Sequence, residues 1–425
     1  MTRSTKWSTG LWKHRPNSEK TMHTDQSGTA IRLNPFKGCA GPEGTPVPWS
    51  PYGRILSERP VFTLDPLFHA GCYYVQDSSA MYVGHVFRKA LALLGGGPVV
   101  RVLDLCAAPG GKTTDLAASL RERYGDNFLL VSNEVMKERS RILSDNVALW
   151  GDPCVMVTSA DPAAFARYRG FFDIIVADMP CSGEGMFRKD PGAVEQFSEQ
   201  TVQLCAARQR RILADVWPAL RSGGILVYST CTYQDAENDD NLEWAADELG
   251  GIIIEPDNEF AGHGVRLTRH GNLLKAGEVP GEGQWVGALV KDGGGPQVLR
   301  SADAPASARK DPLPGTTTAR ARVDSLPGIN PLRYGIPRGT EKGGKLIPDP
   351  DYALSLGYKG EYPVIDLTRE QALQYLHHDP LRFPDAPRGF NLVAFEGHPL
   401  GFVNNLGNRC NTLHPLSRRI LMNIK

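Results

Sequence analysis

The 425-residue sequence predicts an α/β protein whose largest domain, residues 99–291, is built on a doubly wound and mostly parallel sheet. Two observations carry this prediction. Within this region short apolar runs alternate with amphipathic stretches, as expected of strands joined by helical crossovers. From residue 292 the composition shifts to Gly, Pro, Ala and Ser without periodicity, which indicates that the domain ends in a linker.

Seven apolar runs in the large domain have the length and composition of strands, and four stretches between them are typical of helices. The predicted strands are VVRVLDLC (99–106), FLLVSNE (128–134), CVMVTSAD (154–161), FFDIIVAD (171–178), GILVYSTC (224–231), GIIIEP (251–256) and QWVGALVK (284–291). The predicted helices are 113–124, 137–149, 199–220 and 236–249. The last strand follows a loop rich in Gly and His, so we predict that it is antiparallel and forms an edge of the sheet.

Smaller regions flank the large domain. Residues 1–98 begin with a polar stretch, 1–28, that we predict to be poorly ordered, and continue as strand, loop and helix. Residues 292–343 are predicted to be a linker. Residues 344–425 are predicted to form an α+β module with a helix capped by Thr368 and two strands around a Gly-His-Pro turn.

The composition excludes several classes of protein. With 41% hydrophobic and 22% charged residues, it is that of an ordinary globular protein. The eight cysteines include no CxxC pair and no histidine cluster has ligand spacing, so the sequence predicts neither a metal site nor a disulfide framework. Because no apolar run reaches about 18 residues and free thiols persist in reducing compartments, we expect a cytoplasmic protein without a membrane partner.

The charge is divided unevenly along the chain. The formal net charge is zero, but residues 296–425 hold 17 Lys and Arg against 12 Asp and Glu. Such an excess is usually solvated surface, and it indicates a polyanion partner only when other features agree.

The strongest local signal is LDLCAAPGGKTTDLAASL, an apolar strand that breaks into small residues and continues as a helix. Glycines at this position let backbone amides approach a nucleotide closely, and the helix N-terminus favours negative charge. A P-loop is excluded because the required first glycine is replaced by Cys106. The predicted cofactor loop consists of Cys106, Ala107, Ala108, Pro109, Gly110, Gly111 and Lys112.

Two acidic residues complete the predicted cofactor site. Glu134 lies 23 residues after Gly111 at the end of the next strand, where a carboxylate suits ribose hydroxyls. Since the GxGxxG fingerprint is absent, S-adenosylmethionine is a better candidate than NAD. Asp161 ends the third strand and is a candidate acceptor for an adenine amino group. A structural role in a turn or as a helix N-cap before Pro162 is at least as good an interpretation.

Two cysteines 50 residues apart, Cys181 and Cys231, each follow a predicted strand. A buried cysteine is usually inert, so the interpretation depends on its neighbours. Asp178 precedes Cys181 at the carboxyl edge of the sheet, where ligands of such folds bind, and Lys112 is a candidate to orient a thiolate or a phosphate. A thiolate that adds to cytosine C6 activates C5 for methylation, and a second group must then assist release. From the residues alone, either cysteine can be the nucleophile.

These motifs resemble the RNA cytosine-C5 methyltransferases of the Nop/Sun family, in particular the bacterial 16S rRNA methyltransferase F (RsmF) type. The resemblance rests on YVQDSSAM, DLCAAPGGKTTD, DMPCSGEGMFRKDP and GGILVYSTCTYQDAEN, and on GHPLGFVNNLGNRCNTLHPLSRRI in the C-terminal module. It implies a Rossmann-like seven-stranded S-adenosylmethionine-dependent methyltransferase domain followed by a PUA-like RNA-binding module. Departures from the family pattern include Asp77 where Glu is usual, Asn404 where Lys is usual, and the unstructured character expected of residues 1–28.

The resemblance also implies roles for the site residues. Cys231, in the TC motif, is the implied nucleophile, and Cys181, in the PC motif, assists product release. The implied substrate is a cytosine in 16S rRNA or in the small ribosomal subunit, presented single-stranded or flipped from its stack. A tRNA methyltransferase and a catalytically idle RNA-binding assembly factor are the alternatives. We expect a monomer, because no sequence segment resembles an oligomerisation seam.

Overall fold

A computed structural model describes residues 28–94, 99–186, 197–293 and 326–424 of the chain. The stretch predicted to be poorly ordered, 1–28, lies outside these residues except at its last position. The same is true of most of the predicted linker and of FRKDPGAVEQ after the PC motif.

A large sheet forms the centre of the molecule. Its parallel strands are β5 (Val100–Asp104), β6 (Phe128–Asn133), β7 (Val155–Thr158), β8 (Phe172–Asp178) and β9 (Leu220–Thr230). Its antiparallel strands are β10 (Gly251–Ile254), β11 (Arg266–Leu267), β12 (Gly271–Leu274), β13 (Gln284–Lys291) and β14 (Pro331–Tyr334). The order is β11-β12-β13-β9-β8-β5-β6-β7-β14, and β10 also pairs with β13.

The seven predicted strands are present, but the prediction of an edge position for β13 is wrong. This strand lies between β9 on one side and β12 and β10 on the other. Two short strands, β11 and β12, come from the loop that the sequence pattern had left without structure. Strand β14 belongs to the predicted linker 292–343, so the C-terminal part of that segment pairs with the sheet instead of only connecting domains.

Both faces of the sheet are buried because alternate residues of each strand enter two different cores. Val102 of β5 and Ile174 of β8 belong to one core, whereas the next residues, Leu103 and Ile175, belong to the other. Continuous apolar runs in the sequence therefore mark strands that are covered on both sides.

Helices cover these faces and begin and end close to the predicted positions. They are α2 (Tyr82–Leu93), which follows the short α1 (Pro66–His69), and α3 (Gly111–Tyr124), α4 (Lys137–Trp150), α5 (Glu199–Val216) and α6 (Asp239–Leu249). Helix α5 begins at its cap Ser198, whose side chain accepts a hydrogen bond from the Thr201 amide. It ends four residues earlier than predicted, because Pro218 turns the chain into a 3-10 segment.

The N-terminal region forms a four-stranded antiparallel sheet that packs on α3, the helix after the predicted cofactor loop. Its strands are β1 (Ala30–Leu33), β2 (Thr45–Pro46), β3 (Gly53–Ile55) and β4 (Tyr73–Val75). The fully buried Arg32 donates hydrogen bonds to Gln76 Oε1 (2.9 Å) and to the Gly111 carbonyl (3.2 Å), and it also contacts Thr114. A buried guanidinium needs such partners, so this residue fixes the N-terminal sheet against α3.

The C-terminal module contains strand pairs around one helix. Strands β15 (Gly339–Lys342) and β16 (Lys345–Pro348) form a hairpin. Strands β17 (Val364–Asp366), β18 (Gly389–Phe395), β19 (His398–Asn405) and β20 (Cys410–Thr412) form a sheet, with α7 (Arg369–His377) between its first two strands. Thr368 caps α7 in a capping box with Gln371, as predicted. The hairpin turn is Glu396-Gly397, and not Gly-His-Pro, because His398 already belongs to β19.

Apolar side chains join the N-terminal region to the C-terminal module. One core contains Ile31 and Tyr73 from the first and Leu373 and Val393 from the second. Among the described residues, no helix combines the length and apolar character that crossing a membrane requires.

Gly71 lies at a close contact between the N-terminal region and α4, and its replacement by alanine should strongly destabilise the fold. Its φ is +72°, and a Cβ would lie 1.8 Å from the Leu149 carbonyl oxygen. We expect the free energy of unfolding to fall by about 2–5 kcal/mol, from backbone strain plus a clash that requires repacking. The measurement is chemical denaturation followed by tryptophan fluorescence.

Gly125→Ala is the matched control. Gly125 also has a positive φ, +58°, but its Cβ would contact no atom within 4 Å. In Gly125→Ala the free energy of unfolding should therefore fall only by the cost of backbone strain, about 1–2 kcal/mol. Equal destabilisation by the two substitutions would contradict the inferred clash.

Candidate active site

The two predicted cysteines meet at the carboxyl ends of β8 and β9. Cys231 directly follows β9, and Cys181 lies three residues after β8 ends. Their Sγ atoms are 3.1 Å apart, which is hydrogen-bond distance for sulfur. The two strands are parallel neighbours, with Asp178 paired to Ser229, so the residues that follow them reach the same edge of the sheet.

The two thiols differ in acidity. The hydrogen bond from Cys181 lowers the pKa of Cys231, and the nearby Lys112 charge acts in the same direction. The same hydrogen bond and burial raise the pKa of Cys181 well above its ordinary value. The pair is therefore arranged as a Cys231 thiolate that accepts a hydrogen bond from a Cys181 thiol, and the thiolate is the stronger nucleophile.

Lys112 and Asp178 form an ion pair next to the thiols. Lys112 Nζ lies 2.9 Å from Asp178 Oδ2. Burial alone would lower the pKa of Lys112, but Asp178 overrides this effect and the pKa is raised, so the amine stays charged. The second carboxylate oxygen accepts hydrogen bonds from Ser229 Oγ (2.7 Å) and Gln284 Nε2 (3.2 Å). Gln284 of β13 was not predicted from the sequence, because it comes from a strand assigned to the edge.

Glu184 holds the chain immediately after Cys231. Its Oε2 accepts hydrogen bonds from Thr232 Oγ1 (2.7 Å) and the Tyr233 amide (2.6 Å). The neighbouring Gly185 donates its amide to the Cys231 carbonyl at 2.7 Å, and a Cβ there would lie 2.9 Å from that oxygen. The SGEG sequence after Cys181 therefore fixes the backbone that carries the other cysteine.

Glu237 performs the reciprocal task for the loop that carries Cys181. Its carboxylate accepts hydrogen bonds from the Ser182 amide (3.1 Å) and from Gln209 Nε2 (2.7 Å), which also donates to the Pro180 carbonyl (3.0 Å). The sequence QDAENDD is predicted above all to begin a helix, and α6 does begin at Asp239. The fully buried Glu237 just before it contacts the PC loop, a role that the acidic pattern did not reveal.

The predicted cofactor loop, Cys106 to Lys112, joins β5 to α3. Gly110 has a φ of +117°, and a Cβ there would lie 3.2 Å from Leu143 Cδ1, so a side chain is disfavoured. Arg139 Nη2 donates to the Ala108 carbonyl at 2.8 Å and Asn146 Nδ2 donates to the Pro109 carbonyl at 2.8 Å. These contacts from α4 fix the loop at the N-terminus of α3, the end of a helix that favours negatively charged groups.

The buried Asp104 at the end of β5 supports a polar ligand at this loop. Its Oδ2 accepts a hydrogen bond from Thr113 Oγ1 (2.6 Å), whereas its buried Oδ1 has no hydrogen-bond partner among the described residues. Burial raises the pKa of Asp104 to about 7. An unsatisfied carboxylate oxygen beside the glycine loop suits the ammonium group of an amino-acid-like ligand such as S-adenosylmethionine.

Glu134 and Asp161 differ in how firmly they are placed. Glu134 is buried at the end of β6, and its carboxylate accepts a hydrogen bond from the Met136 amide (2.9 Å) and lies 3.5 Å from Arg139 Nη1. Asp161 is exposed and caps the turn that follows it by accepting a hydrogen bond from the Ala163 amide at 2.9 Å. The capping role is thus present for Asp161, and contact of either carboxylate with a cofactor stays a prediction.

Asp77, which departs from the family pattern, links the N-terminal region to the site. Its Oδ1 accepts a hydrogen bond from the Glu282 amide (2.9 Å), and its Oδ2 accepts from the Ala80 amide (3.0 Å) and contacts Ser79. Ser79 Oγ in turn accepts from the Gly283 amide (2.9 Å), next to Gln284. Asp77, although one methylene shorter than the Glu that is usual in the family, therefore holds the loop that precedes β13.

The acidity of Cys231 should depend on Cys181 even without a substrate. In Cys181→Ala the hydrogen bond that stabilises the thiolate is lost, so the pKa of Cys231 should rise. Alkylation of Cys231 by iodoacetamide, followed by mass spectrometry, should then reach half its maximal rate at a higher pH than in the wild type. Cys410 in the same digest is the internal control. An unchanged pH profile for Cys231 would refute the assigned hydrogen bond.

Three segments of the chain match family models. Residues 93–250 match the model described as 16S rRNA methyltransferase RsmB/F. Residues 362–420 match the model described as methyltransferase RsmF PUA domain, and residues 11–78 match the N-terminal domain of 16S rRNA methyltransferase RsmF.

Curated relatives agree with these matches. The chain is 37% identical over 254 residues to ribosomal RNA small subunit methyltransferase F of Cronobacter sakazakii, a match that covers 57% of this chain and 51% of the relative. It is 35% identical over 237 residues to the protein of the same description from Escherichia coli O157:H7, covering 54% of this chain and 47% of that one. The chain thus spans about half the length of the curated relatives it matches.

The fold is also that of a solved structure. The crystal structure of a methyltransferase homologue from Pyrococcus horikoshii has a TM-score of 0.50 and 24% sequence identity to this chain, covering 62% of this chain and 86% of that one. This likeness supports a methyltransferase fold.

Proposed function

Because the chain belongs to the RsmB/F family of methyltransferases, we propose that it methylates carbon 5 of a cytosine in ribosomal RNA through a covalent cysteine–cytosine intermediate. The observation that carries this proposal is the Cys181–Cys231 pair, with Sγ atoms 3.1 Å apart beside the Lys112–Asp178 ion pair. A protein that only bound RNA would need neither an acidic thiol nor a second thiol hydrogen-bonded to it.

The proposed reaction begins with the Cys231 thiolate. Its sulfur forms a bond to C6 of the cytosine. The electron pair of the C5–C6 double bond moves to C5 and is delocalised through C4 onto N3, which gains negative charge. The Lys112 ammonium, held by Asp178, is the available donor for N3, while the Asp178 carboxylate is an acceptor for the cytosine amino group. These contacts make C5 nucleophilic. S-adenosylmethionine supplies the methyl group that C5 receives.

Release of the product requires loss of the C5 proton and departure of the Cys231 sulfur. Once that sulfur is bonded to carbon, it is no longer a thiolate that accepts the Cys181 hydrogen bond, so the largest cause of the raised pKa of Cys181 is removed while burial remains. Cys181 can then lose its proton to solvent and accept the proton from C5. The C5–C6 double bond re-forms as the C–S bond breaks, and the regenerated Cys181 thiol stabilises the departing Cys231 thiolate.

The proposed cofactor is S-adenosylmethionine, held by residues that fit it. Glu134 would bind its ribose hydroxyls, Asp161 its adenine, and the loop Cys106–Gly111 together with Asp178 the amino-acid end. Support comes from the buried Asp104 Oδ1, which has no hydrogen-bond partner among the described residues. A metal has no part in this scheme.

The proposed substrate is 16S rRNA, free or in the small ribosomal subunit, with the C-terminal module as the second RNA contact. The match of residues 362–420 to a PUA domain and the basic excess of the C-terminal third support this assignment. We propose that the chain acts in the cytoplasm as a monomer. The domain limits 1–98, 99–291, 292–343 and 344–425 remain predictions, except that β14 and β15 occupy part of the linker.

Transfer of tritiated methyl groups tests this function. The purified chain should label 16S rRNA or small subunits, the label should map to a 5-methylcytosine by bisulfite sequencing, and Cys231→Ala should abolish it. Labelling of tRNA instead of 16S rRNA would identify tRNA as the substrate, whereas no labelling of 16S rRNA, small subunits or tRNA would overturn the proposed activity.

A further inference from the structure

Away from the catalytic pair, Cys39, Cys72 and His398 lie together between the N-terminal region and the C-terminal module. Their sulfur atoms and a ring nitrogen of His398 are all within 4.8 Å of one another. Cys72 directly precedes β4 and is fully buried, while Cys39 and His398 are half-buried. His398 is the first residue of β19, so the cluster joins segments at opposite ends of the sequence.

We propose that these three residues bind a zinc ion that fastens the C-terminal module to the N-terminal region. Two thiolates and an imidazole are a ligand set that selects zinc over magnesium or calcium. In a tetrahedral site with bonds of about 2.0–2.3 Å, ligand atoms lie roughly 3.3–3.8 Å apart, so small side-chain movements bring this cluster to ligand distance. Solvent would supply the fourth ligand, because two of the three residues are partly exposed.

In the proposed site, the negative charges of the two thiolates would neutralise the charge of the zinc ion. Burial and the neighbouring Cys39 thiol raise the pKa of Cys72, so the metal-free Cys72 is protonated. Lys37 is the nearby basic group, but its Nζ contacts the Leu354 carbonyl and burial lowers its pKa to about 8. Burial and the Lys37 charge lower the pKa of His398, which keeps its imidazole neutral as a metal ligand must be, and the Glu396 charge acts in the opposite direction. Zinc binding should therefore release protons and strengthen as pH rises.

A second cluster, His85, Asp257 and Glu259, does not carry the same inference. Lys89 Nζ already lies 2.7 Å from Asp257 and 2.9 Å from Glu259, so an ammonium group fills the position of a cation. At the Cys39–Cys72–His398 cluster the nearby ammonium, Lys37, instead contacts the Leu354 carbonyl.

The zinc would have a structural role and not a catalytic one. The two regions it joins already share an apolar core that includes Ile31 and Val393. A metal at the rim of this core would fix the orientation of the proposed RNA-binding module relative to the catalytic thiols. Its presence does not depend on the proposed methyltransferase activity, so failure of one proposal leaves the other standing.

The test is the metal content and cobalt spectrum of the full-length protein purified without chelators. We expect one zinc per chain, and replacement by Co²⁺ should produce a thiolate-to-cobalt charge-transfer band. Cys72→Ser and Cys39→Ser should each weaken that band, and His398→Ala should lower zinc affinity roughly tenfold or more. A chelator should lower the melting temperature of the wild type but not that of Cys39→Ser/Cys72→Ser.

Two thiol substitutions elsewhere serve as controls. Cys410→Ser removes a half-buried thiol of the same module, and Cys181→Ser removes the alternative thiol pair; both should keep one zinc and the full cobalt band. Circular dichroism verifies that each variant folds. Wild-type protein without zinc and without a cobalt band would overturn the proposal, as would a band that persists in Cys39→Ser/Cys72→Ser or disappears in Cys181→Ser.

Discussion

Replacing Cys181 by alanine is expected to trap the protein on its RNA. The Cys231 thiolate can still attack C6 and the methyl group can still be transferred, but the variant lacks the Cys181 sulfur, which lies 3.1 Å from the Cys231 sulfur and, as a thiolate, would accept the C5 proton. On denaturing gels we expect a slowly migrating, RNase-sensitive form of Cys181→Ala expressed in cells. Sequencing of the attached RNA should identify 16S rRNA. Neither Cys231→Ala nor the double variant Cys181→Ala/Cys231→Ala should form any adduct.

The structure adds a kinetic detail to this expectation. Because Cys181 also lowers the pKa of Cys231, the alanine variant should form its adduct more slowly than the wild type forms the transient intermediate. Its rate of adduct formation should rise with pH until the Cys231 thiol is fully ionised, while the amount of trapped protein at long times stays high.

Cys410→Ala is the control for loss of an unrelated thiol, and it should neither trap RNA nor reduce methylation. An adduct from Cys231→Ala but not from Cys181→Ala would reverse the two roles. No adduct from either variant would favour a catalytically idle RNA-binding factor.

Much of the candidate active site could be predicted from the sequence, because neighbouring parallel strands bring the residues that follow them to one edge of the sheet. Asp178, Cys181 and Cys231 each stand at or just after the end of an apolar run, and adjacency of β8 and β9 brings them together. Lys112 follows from the same rule, since it opens the helix after β5, the other neighbour of β8.

Residues that support the site were missed because their partners are not encoded by local patterns. Glu184 and Glu237 are ordinary acidic residues of a loop and of a helix start, yet each accepts a hydrogen bond from the loop that carries the other cysteine. Gln284 was missed because β13 was assigned to the edge, whereas three neighbouring strands pair with it.

The Cys39–Cys72–His398 cluster shows the same limit more strongly. Metal ligands are recognised in sequences by short spacing, such as CxxC, and here the three residues come from a loop, a strand start and a distant hairpin. Only packing of the C-terminal module against the N-terminal region brings them together. The sequence therefore predicted no metal site, and nothing in its local pattern could have changed that.

Asp178→Asn should nearly abolish turnover while leaving the fold intact. The substitution removes the charge that holds Lys112 Nζ at 2.9 Å, and an amide must then face several donors, Lys112, Ser229 and Gln284. We expect kcat to fall by about 10²–10⁴-fold, the usual range for loss of a positioned acid or base. Stability should fall less than in Asp173→Asn below, because 28% of the Asp178 side chain is exposed, against 2% of Asp173, and water can replace part of the lost ion pair.

Asp173→Asn is the matched control on the same strand. Asp173 lies near the other end of β8, where its 2% exposed carboxylate accepts hydrogen bonds from Arg221 Nε (2.7 Å) and the Arg101 amide (2.8 Å). Its loss should reduce the free energy of unfolding by about 3 kcal/mol, as expected for breaking a buried ion pair, without changing kcat of the folded protein. Asp178→Asn should thus mainly lower kcat, whereas Asp173→Asn should mainly lower the free energy of unfolding.

Lys112→Gln and the double variant Lys112→Gln/Asp178→Asn test whether the two residues of the ion pair act as a unit. If Asp178 acts mainly by holding the ammonium that faces N3, the double variant should be no slower than the slower single variant, because residues that act as a unit give non-additive effects. Multiplicative losses of kcat would mean that the carboxylate and the ammonium act independently on the cytosine. Single-turnover rates measured with saturating S-adenosylmethionine and RNA distinguish these outcomes, since they exclude effects on binding and product release.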